Sequence, residues 1–275
     1  MVTRMESNSH TKNKNIPLKK IEKSLNGTRF KKFIHLEETG STNKDVASIA
    51  PKEPDDLVFV ADGQTEGKGR LGRTWESPKG LNLLCSFLVT PKWSKDRNPL
   101  VTSSLALGVV DYLSTIGITA LLKWPNDIVI LAGEEQKISG ILAEQIEGEI
   151  ERLVVGIGLN VLWPSVNEQG PPNSTSLKML GVQCNRWDVL VGIIGNFENQ
   201  LTRLNQSNGP ATLRQDHLTN SATIGNSVRI DIGNQKIVGM AKDITEEGFL
   251  VVNDGLEDLQ ISSGDIVNLR KETDD

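Results

Sequence analysis

At 275 residues the chain has room for one large domain or two ordinary ones, and 37% hydrophobic against 24% charged residues is enough apolar material for a real core. A formal charge of -5 lacks the basic footprint of a generic nucleic-acid binder. Cys85 and Cys184 lie far apart with no CxxC partner, which excludes a zinc module or disulfide framework and suits a reducing, cytoplasmic setting. No apolar run approaches the roughly 20 residues of a membrane span.

Residues 1–28 are expected to form a polar, partly disordered N-terminal extension. Within it, "IPLKKIEKSL" sets Leu18, Ile21 and Leu25 on one face of a short helix. "FKKFIHLEE" reads as a strand. In "TGSTNKDVASIA", Ser41 or Thr42 can cap a helix whose inner face carries Val46, Ile49 and Ala50. "DDLVFVAD" is a buried strand, and a glycine-rich loop follows it directly. "GLNLLCSFLV" is another strand, and Leu105, Val109, Tyr112 and Ile116 then recur at near-helical spacing. "ALLKWPNDIVIL" splits into two strands at Pro125, which biases Trp124 toward an extended conformation. "KISGILAEQIEG" and "ERLVVGIGLNVLW" suggest a hairpin, and "PSVNEQGPPNSTS" a loop. "RWDVLVGIIGNFENQLTRL" is the longest helix, with Val189, Ile193, Phe197, Leu201 and Leu204 on one stripe. From Ser221 onward, short alternating strands separated by Gly, Asn and Asp turns predict a small β-barrel.

The glycine loop, "GQTEGKGRLGRTW", places Gly67, Gly69 and Gly72 at the G-x-G-x-x-G spacing of dinucleotide-binding folds. That motif must open a helix and be trailed by a ribose-binding acid about 20 residues on. "RTWESPKGLN" has no helical stripe, and no acid is well placed near position 92, so the nicotinamide reading fails. The Walker A pattern is also absent. What remains is a flexible loop with three cations, suited to gripping and releasing a polyanion. Alone, it reads equally well as a solvated turn.

Five motifs in order carry a resemblance: "GSTN" (40–43), "GQTEGKGRLGRTW" (63–75), "KWPND" (123–127), "KISGILAE" (137–144) and "GIGLN" (156–160). Together with the C-terminal strands they resemble biotin–protein ligases over residues 30 to 270. The resemblance implies an α+β fold. A catalytic domain over 29–218, built from a mixed sheet and helices like class II synthetases, would precede an SH3-like barrel over 219–272. It also implies a two-step reaction, in which biotin's carboxylate attacks the α-phosphorus of ATP and a carrier lysine then attacks the biotinyl-5′-adenylate. Positioned cations and Mg²⁺ would carry the first step, without a covalent enzyme nucleophile.

By the same resemblance, Lys137 reaches the biotin carboxylate and the phosphate, with Lys123, Arg70 and Asp127 as further catalytic residues. Asp127 is the one candidate metal ligand, the Mg²⁺ being held largely by the phosphates. Ser41, Thr42, Asn43 and Gln64 fall at positions for biotin's neutral head. Gly67, Lys68, Arg70, Arg73 and Trp75 would line the pocket from the loop, with Asn126 at the "KWPND" turn. Gly140 and Gly156 would let the ligand close to a strand, and Asn160 would lie near the ATP phosphates or ribose. Lys68 and Leu71 stand where many relatives carry arginine. Lys68 keeps the charge without the planar fork, and Leu71 removes one cation.

Some relatives carry an N-terminal DNA-binding domain. Here 40 residues precede "STN" with apolar content for one short helix, so a ligase that does not bind DNA is expected. The expected partner is the biotin carboxyl carrier domain of acetyl-CoA or a related carboxylase, with no membrane association. The enzyme is expected as a monomer or a homodimer. A lipoate–protein ligase and a non-catalytic biotin- or nucleotide-binding module are the alternatives.

Overall fold

The computed structural model describes residues 16–268 apart from Asn234 and Ser263, so the polar stretch 1–15 lies outside the described residues. The elements run α1 (Leu18–Leu25), β1 (Phe30–Leu36), α2 (Thr42–Ile49), β2 (Asp56–Ala61), β3 (Leu83–Val89), α3 (Leu100–Thr115), β4 (Leu121–Lys123), β5 (Asp127–Ala132), β6 (Glu134–Ile146) and β7 (Arg152–Leu159). After these come α4 (Arg186–Leu204) and α5 (Gly209–Thr219), then β8 (Ser227–Ile232), β9 (Gln235–Ile244), β10 (Leu250–Asn253), β11 (Asp258–Ile261) and β12 (Asp265–Asn268). The first seven strands form one mixed sheet in the order β1-β2-β3-β7-β6-β5-β4. Only the β1–β2 pair is parallel. The last five make an antiparallel sheet in the order β11-β10-β9-β8-β12, the small SH3-like unit.

Alternation along the strands decides what each sheet face meets. In β2, Val58 and Val60 point into the main core with α3 and α4, while Leu57 and Phe59 point to a smaller core under α2. Phe30, Phe87 and Phe197 form an aromatic knot in the main core, with centroids 5.0 to 6.0 Å apart. In β7, Val155, Ile157 and Leu159 enter that core and Val154 packs under α2. Gly156 and Gly158, between them, face the other way, beyond the end of α2. That half of the sheet carries the site.

Three features differ from the sequence reading. Ile21 and Leu25 of α1 are buried in the main core, but Leu18, expected on the same face, is 42% exposed. The helix α5 was not anticipated, because "GPATLRQDHLT" carries too few apolar residues to mark a stripe. Only Leu213, His217 and Gly209 are buried in it, and its packing against α3 and α4 supplies what its pattern lacks. Pro125 is preceded by a cis peptide bond rather than simply favouring an extended Trp124.

Trp124 joins the two units. It is 3% exposed and belongs to the core of the small sheet, beside Val228, Ile230, Ala241 and Leu250. Its backbone N–H donates to Thr223 Oγ1 at 3.1 Å, and its indole N–H donates to the Gly248 carbonyl at 3.1 Å.

His217 of α5 is buried with Nδ1 3.3 Å from Ser103 Oγ and Nε2 unpartnered. Burial pushes its pKa down to about 4 from an ordinary value of 6.5. A depressed folded-state pKa means the unfolded chain takes up the proton first. The cost therefore grows as pH falls from 6.5 toward 4, and stability is retained above 6.5. The His217→Leu variant is expected to lose about 3 kcal/mol less than the parent between pH 7 and pH 4. Urea melts at both pH values check this, and parallel losses in the two proteins would refute it.

Candidate active site

A cavity of about 380 Å³ opens on the uncovered half of the sheet. Strand register builds its floor. Lys123 pairs with Asp127, Asp127 with Gly140 and Gly140 with Gly158, a row across four strands. The neighbouring row is Leu142, Gly156 and Ser86.

One end of the cavity is lined by uncharged hydrogen-bonding side chains, with the Glu144 carboxylate beside them. Gln64 follows β2 and its Oε1 accepts from the Thr42 backbone N–H at 2.7 Å and the Thr42 hydroxyl at 3.0 Å. The Ser86 hydroxyl lies 2.7 Å from both Thr42 Oγ1 and Asn43 Oδ1. Asn43 Nδ2 donates to the Leu142 carbonyl at 3.1 Å and to Glu144 Oε2 at 2.6 Å. Ser41 occupies the N-cap position of α2, but its side chain makes no capping bond, and Thr42 spends its hydroxyl on Gln64. The expected side-chain cap is absent, and both residues line the cavity.

The other end is cationic. Lys137 Nζ lies 2.7 Å from Asp127 Oδ1 and 5.5 Å from the centre of the Trp75 ring. Its backbone is clamped by the 173–175 loop, with N–H donating to Asn173 O and C=O accepting from Thr175 N. Lys123 pairs with Glu135. Lys68, Arg70 and Arg73 enter from the glycine loop, and Arg70 Nη1 donates to the Gly264 carbonyl of the small sheet at 3.3 Å. Lys44, Lys68, Arg70, Arg73, Lys123 and Lys137 line the cavity against Asp127, Glu144 and Asp231, so an acidic chain holds a locally positive site. Such a field favours bound anions.

The glycine loop is a closed ribbon. Gly69 N donates to Arg73 O at 2.7 Å, and Trp75 N to Gly67 O at 2.9 Å. Its tip is a short 3-10 turn over Arg70–Gly72 with Leu71 at φ 53° and Gly72 at φ 75°. Leu71, 70% exposed, adopts the left-handed conformation that costs a branched side chain strain. At the loop's base, burial pushes the Asp62 carboxyl up. Hydrogen bonds and charge from His35 at 2.6 Å and Arg186 at 2.5 Å outweigh that, holding it below the usual range.

Of the residues expected from the sequence, Ser41, Thr42, Asn43, Gln64, Lys68, Arg70, Arg73, Trp75, Lys123, Asn126, Asp127, Lys137, Gly140 and Gly156 all line this one cavity. Five differ in detail. Asn160 is buried, donating to Thr175 O and accepting from Asn82, and is not among the residues that line the cavity. Gly67 lies outside the lining, and a Cβ there would meet the Trp75 carbonyl at 2.6 Å, so it is glycine for the loop's own packing. Gly140 and Gly156 make room for protein: a Cβ at Gly156 would fall 2.1 Å from Asn43 Oδ1, and one at Gly140 3.1 Å from the Trp75 ring. Asn126 also serves the fold, donating to Ile141 O at 2.7 Å. Sequence reasoning missed Glu135, Glu144, Ser86, Asp231 and Ile266. Glu144 closes the quoted "KISGILAE", but a lone acid at a strand end carries no signal of its own.

Two family models match the chain: the biotin/lipoate A/B protein ligase family over residues 32–160, and the biotin protein ligase C-terminal domain over 223–268. A biotin–[acetyl-CoA-carboxylase] ligase of Mycobacterium tuberculosis is 32% identical over 260 residues, covering 89% of this chain and 91% of that protein. The chain belongs to the biotin protein ligase family. A Bacillus subtilis bifunctional ligase/repressor, BirA, is 30% identical over 85% of this chain and 73% of its own length. Among solved structures, a biotin protein ligase from Aquifex aeolicus in complex with biotin and ATP superposes with a TM-score of 0.75. It is 28% identical, and the match covers 87% of this chain and all of that one. The α+β fold with its small SH3-like unit is the architecture of this family.

Trp75 lies against the floor with its indole N–H buried and unpartnered, and a Cβ at Gly158 would fall 2.2 Å from the ring. The Gly158→Ala variant is therefore expected to displace the indole. Its tryptophan emission should shift relative to the parent, with no such shift when the same change is made in a Trp75→Phe background. The cost in stability should be about 1–3 kcal/mol, as for other overpacked sites. An unchanged emission spectrum would refute this placement.

Proposed function

We propose that this protein activates biotin with ATP as biotinyl-5′-adenylate and transfers the biotinyl group to a lysine of a biotin carboxyl carrier domain, as in acetyl-CoA carboxylase. The observation that carries this reading is one cavity with two chemically opposite ends on a glycine-floored sheet. Ser41, Thr42, Asn43 and Gln64 offer donors and acceptors without charge, which is what a ureido ring needs. Lys123, Lys137 and the loop arginines offer positive charge where a carboxylate must approach a triphosphate. The Aquifex aeolicus relative, solved with biotin and ATP, supports the substrate pair.

In the first step a biotin carboxylate oxygen forms a bond to the α-phosphorus, and the bond to pyrophosphate breaks with its electrons leaving on oxygen. Lys137 sits between Asp127 and Trp75, where its ammonium can follow the charge as it moves from carboxylate to phosphate. Arg70 and Arg73, on the loop, close over the phosphate side. A divalent cation would screen the phosphates. Mg²⁺ would be held chiefly by nucleotide oxygens, with Asp127 of the cavity lining as the candidate protein ligand. In the second step the acceptor's lysine nitrogen bonds to the activated carbonyl and AMP leaves.

Biotin-dependent exchange of labelled pyrophosphate into ATP, followed by labelling of a carrier domain, tests the reading. Exchange with lipoate alone would make the protein a lipoate ligase, and exchange with neither would make it a binding module. The Lys137→Ala variant is expected to lower exchange by about 100-fold or more, in the range of lost oxyanion donors, while its melting curve stays cooperative. Near-normal exchange would refute the role of Lys137. Biotin with ATP is further expected to slow tryptic cleavage after Lys68, Arg70 and Arg73. Equal cleavage with and without ligands would show that the loop does not close.

A further inference from the structure

A second cavity, also about 380 Å³, lies between the N-terminal end of α3 and the turn 247–249 of the small sheet. It shares a wall with the first one: Arg70, Trp124, Pro125, Asn126, Ile141 and Glu144 line both. The two meet where β5 ends its pairing with β6. Asp127 opposes Gly140, Asn126 closes onto Ile141, and among the described residues no strand covers that side of β6 further along.

Glu144 stands at this junction and is the odd carboxylate of the site. Asp127 is paired with Lys137 and Asp231 with Arg229, both within ion-pair distance. Glu144 accepts one hydrogen bond, from the Asn43 amide to Oε2, and has no cationic partner among the described residues. Glu144 is exposed at the mouth of a cavity lined by cations yet is paired with none of them, and a carboxylate so placed has the chemistry of a seat for a cation that arrives from outside. The polar wall of the second groove, with Asn98, Thr102, Ser103 and Gln145, leads to it from the surface.

We infer that the second groove admits the acceptor protein's lysine-bearing segment and that Glu144 receives the lysine ε-ammonium at the mouth of the adenylation cavity. The inference rests on the adenylation reading above and assigns the second half-reaction its own residue and entrance. The ammonium passes one proton to the Glu144 carboxylate, and the freed nitrogen lone pair forms the C–N bond at the biotinyl carbonyl. The C–O bond to the phosphate breaks, its electron pair leaves with AMP, and the nitrogen's second surplus proton goes to water. Charge and atoms balance without a further reactant. Glu144 contacts the substrate amine in this scheme, and the polar groove positions the segment that carries it.

The test compares two ways of discharging enzyme-bound adenylate in single turnovers: transfer to a carrier domain, and attack by hydroxylamine, a small nucleophile that is neutral at pH 7. The Glu144→Gln variant keeps an oxygen for Asn43 but loses the charge. The ratio of carrier transfer to hydroxylamine discharge is expected to fall at least about tenfold, within the range for a lost general base, and to recover in part in Glu144→Asp. An unchanged ratio overturns the inference, as does a fall in pyrophosphate exchange matching the fall in transfer, which would place Glu144 in the first step or in folding. Absence of biotin-dependent exchange in the parent protein would instead remove the adenylation reading itself.

Discussion

Trp124 is the residue on which the rest of the site depends. It lies between Lys123, whose ammonium faces the cavity, and Asp127, which pairs with Lys137, yet its own indole is buried in the core of the small sheet. Burying a tryptophan of this kind is worth about 3–5 kcal/mol when measured by truncation. That energy holds the "KWPND" turn in place from the far side. The register row from Lys123 through Asp127 and Gly140 to Gly158 is therefore anchored at one edge by a domain that contributes little else to the floor. The small unit is part of the geometry of the cavity, and Asp231 and Ile266 from it complete the wall.

The opposite edge is set by absence of side chains. At Gly156 and Gly158 a methyl group would overlap Asn43 and Trp75 by more than any relaxation of those groups comfortably absorbs. These glycines are not hinges, since both lie in a fully paired central strand. They lower the floor so that a polar amide and an indole can lie flat on the sheet, and these in turn shape the neutral and cationic ends. The separation matters energetically. Cations kept near one another are costly unless each has a counter-charge, and Lys123 and Lys137 have theirs in Glu135 and Asp127. An arriving anion exchanges partners within an existing network and does not have to neutralise bare charge.

Much of this was legible in the sequence because the chemistry-bearing residues fall at strand ends and turns, where residue type is constrained most. The strands around Asp127, Lys137 and Gly156 announced themselves as apolar runs broken at turns, and fourteen expected site residues do meet in one cavity. What escaped was decided by packing. Asn160 closes a motif, but its amide is consumed by Asn82 and Thr175, a fact fixed by a loop more than ten residues away in sequence. The helix α5 has no stripe to read, since its neighbours supply its burial. Glu144 is defined by the missing cation around it, and an absent partner leaves no trace in a sequence.

The G-x-G-x-x-G spacing of the loop misleads for a physical reason that the structure makes plain. In a dinucleotide fold the glycines end a strand so that a helix can offer its N-terminus to a pyrophosphate. Here the residues after Gly72 return along the loop instead, with Gly69 and Gly67 bonded back to Arg73 and Trp75, and no helix follows the glycines. The loop's own positive charge comes from side chains, and side chains on a loop need an external reference to be aimed. Arg70 has one in the Gly264 carbonyl of the small sheet. The loop that would cover the phosphate is thus tied to the same unit that holds Trp124. A charge-assisted bond to phosphate, roughly twice as strong as a neutral one, is what the Arg70 guanidinium would gain when the loop closes over a ligand.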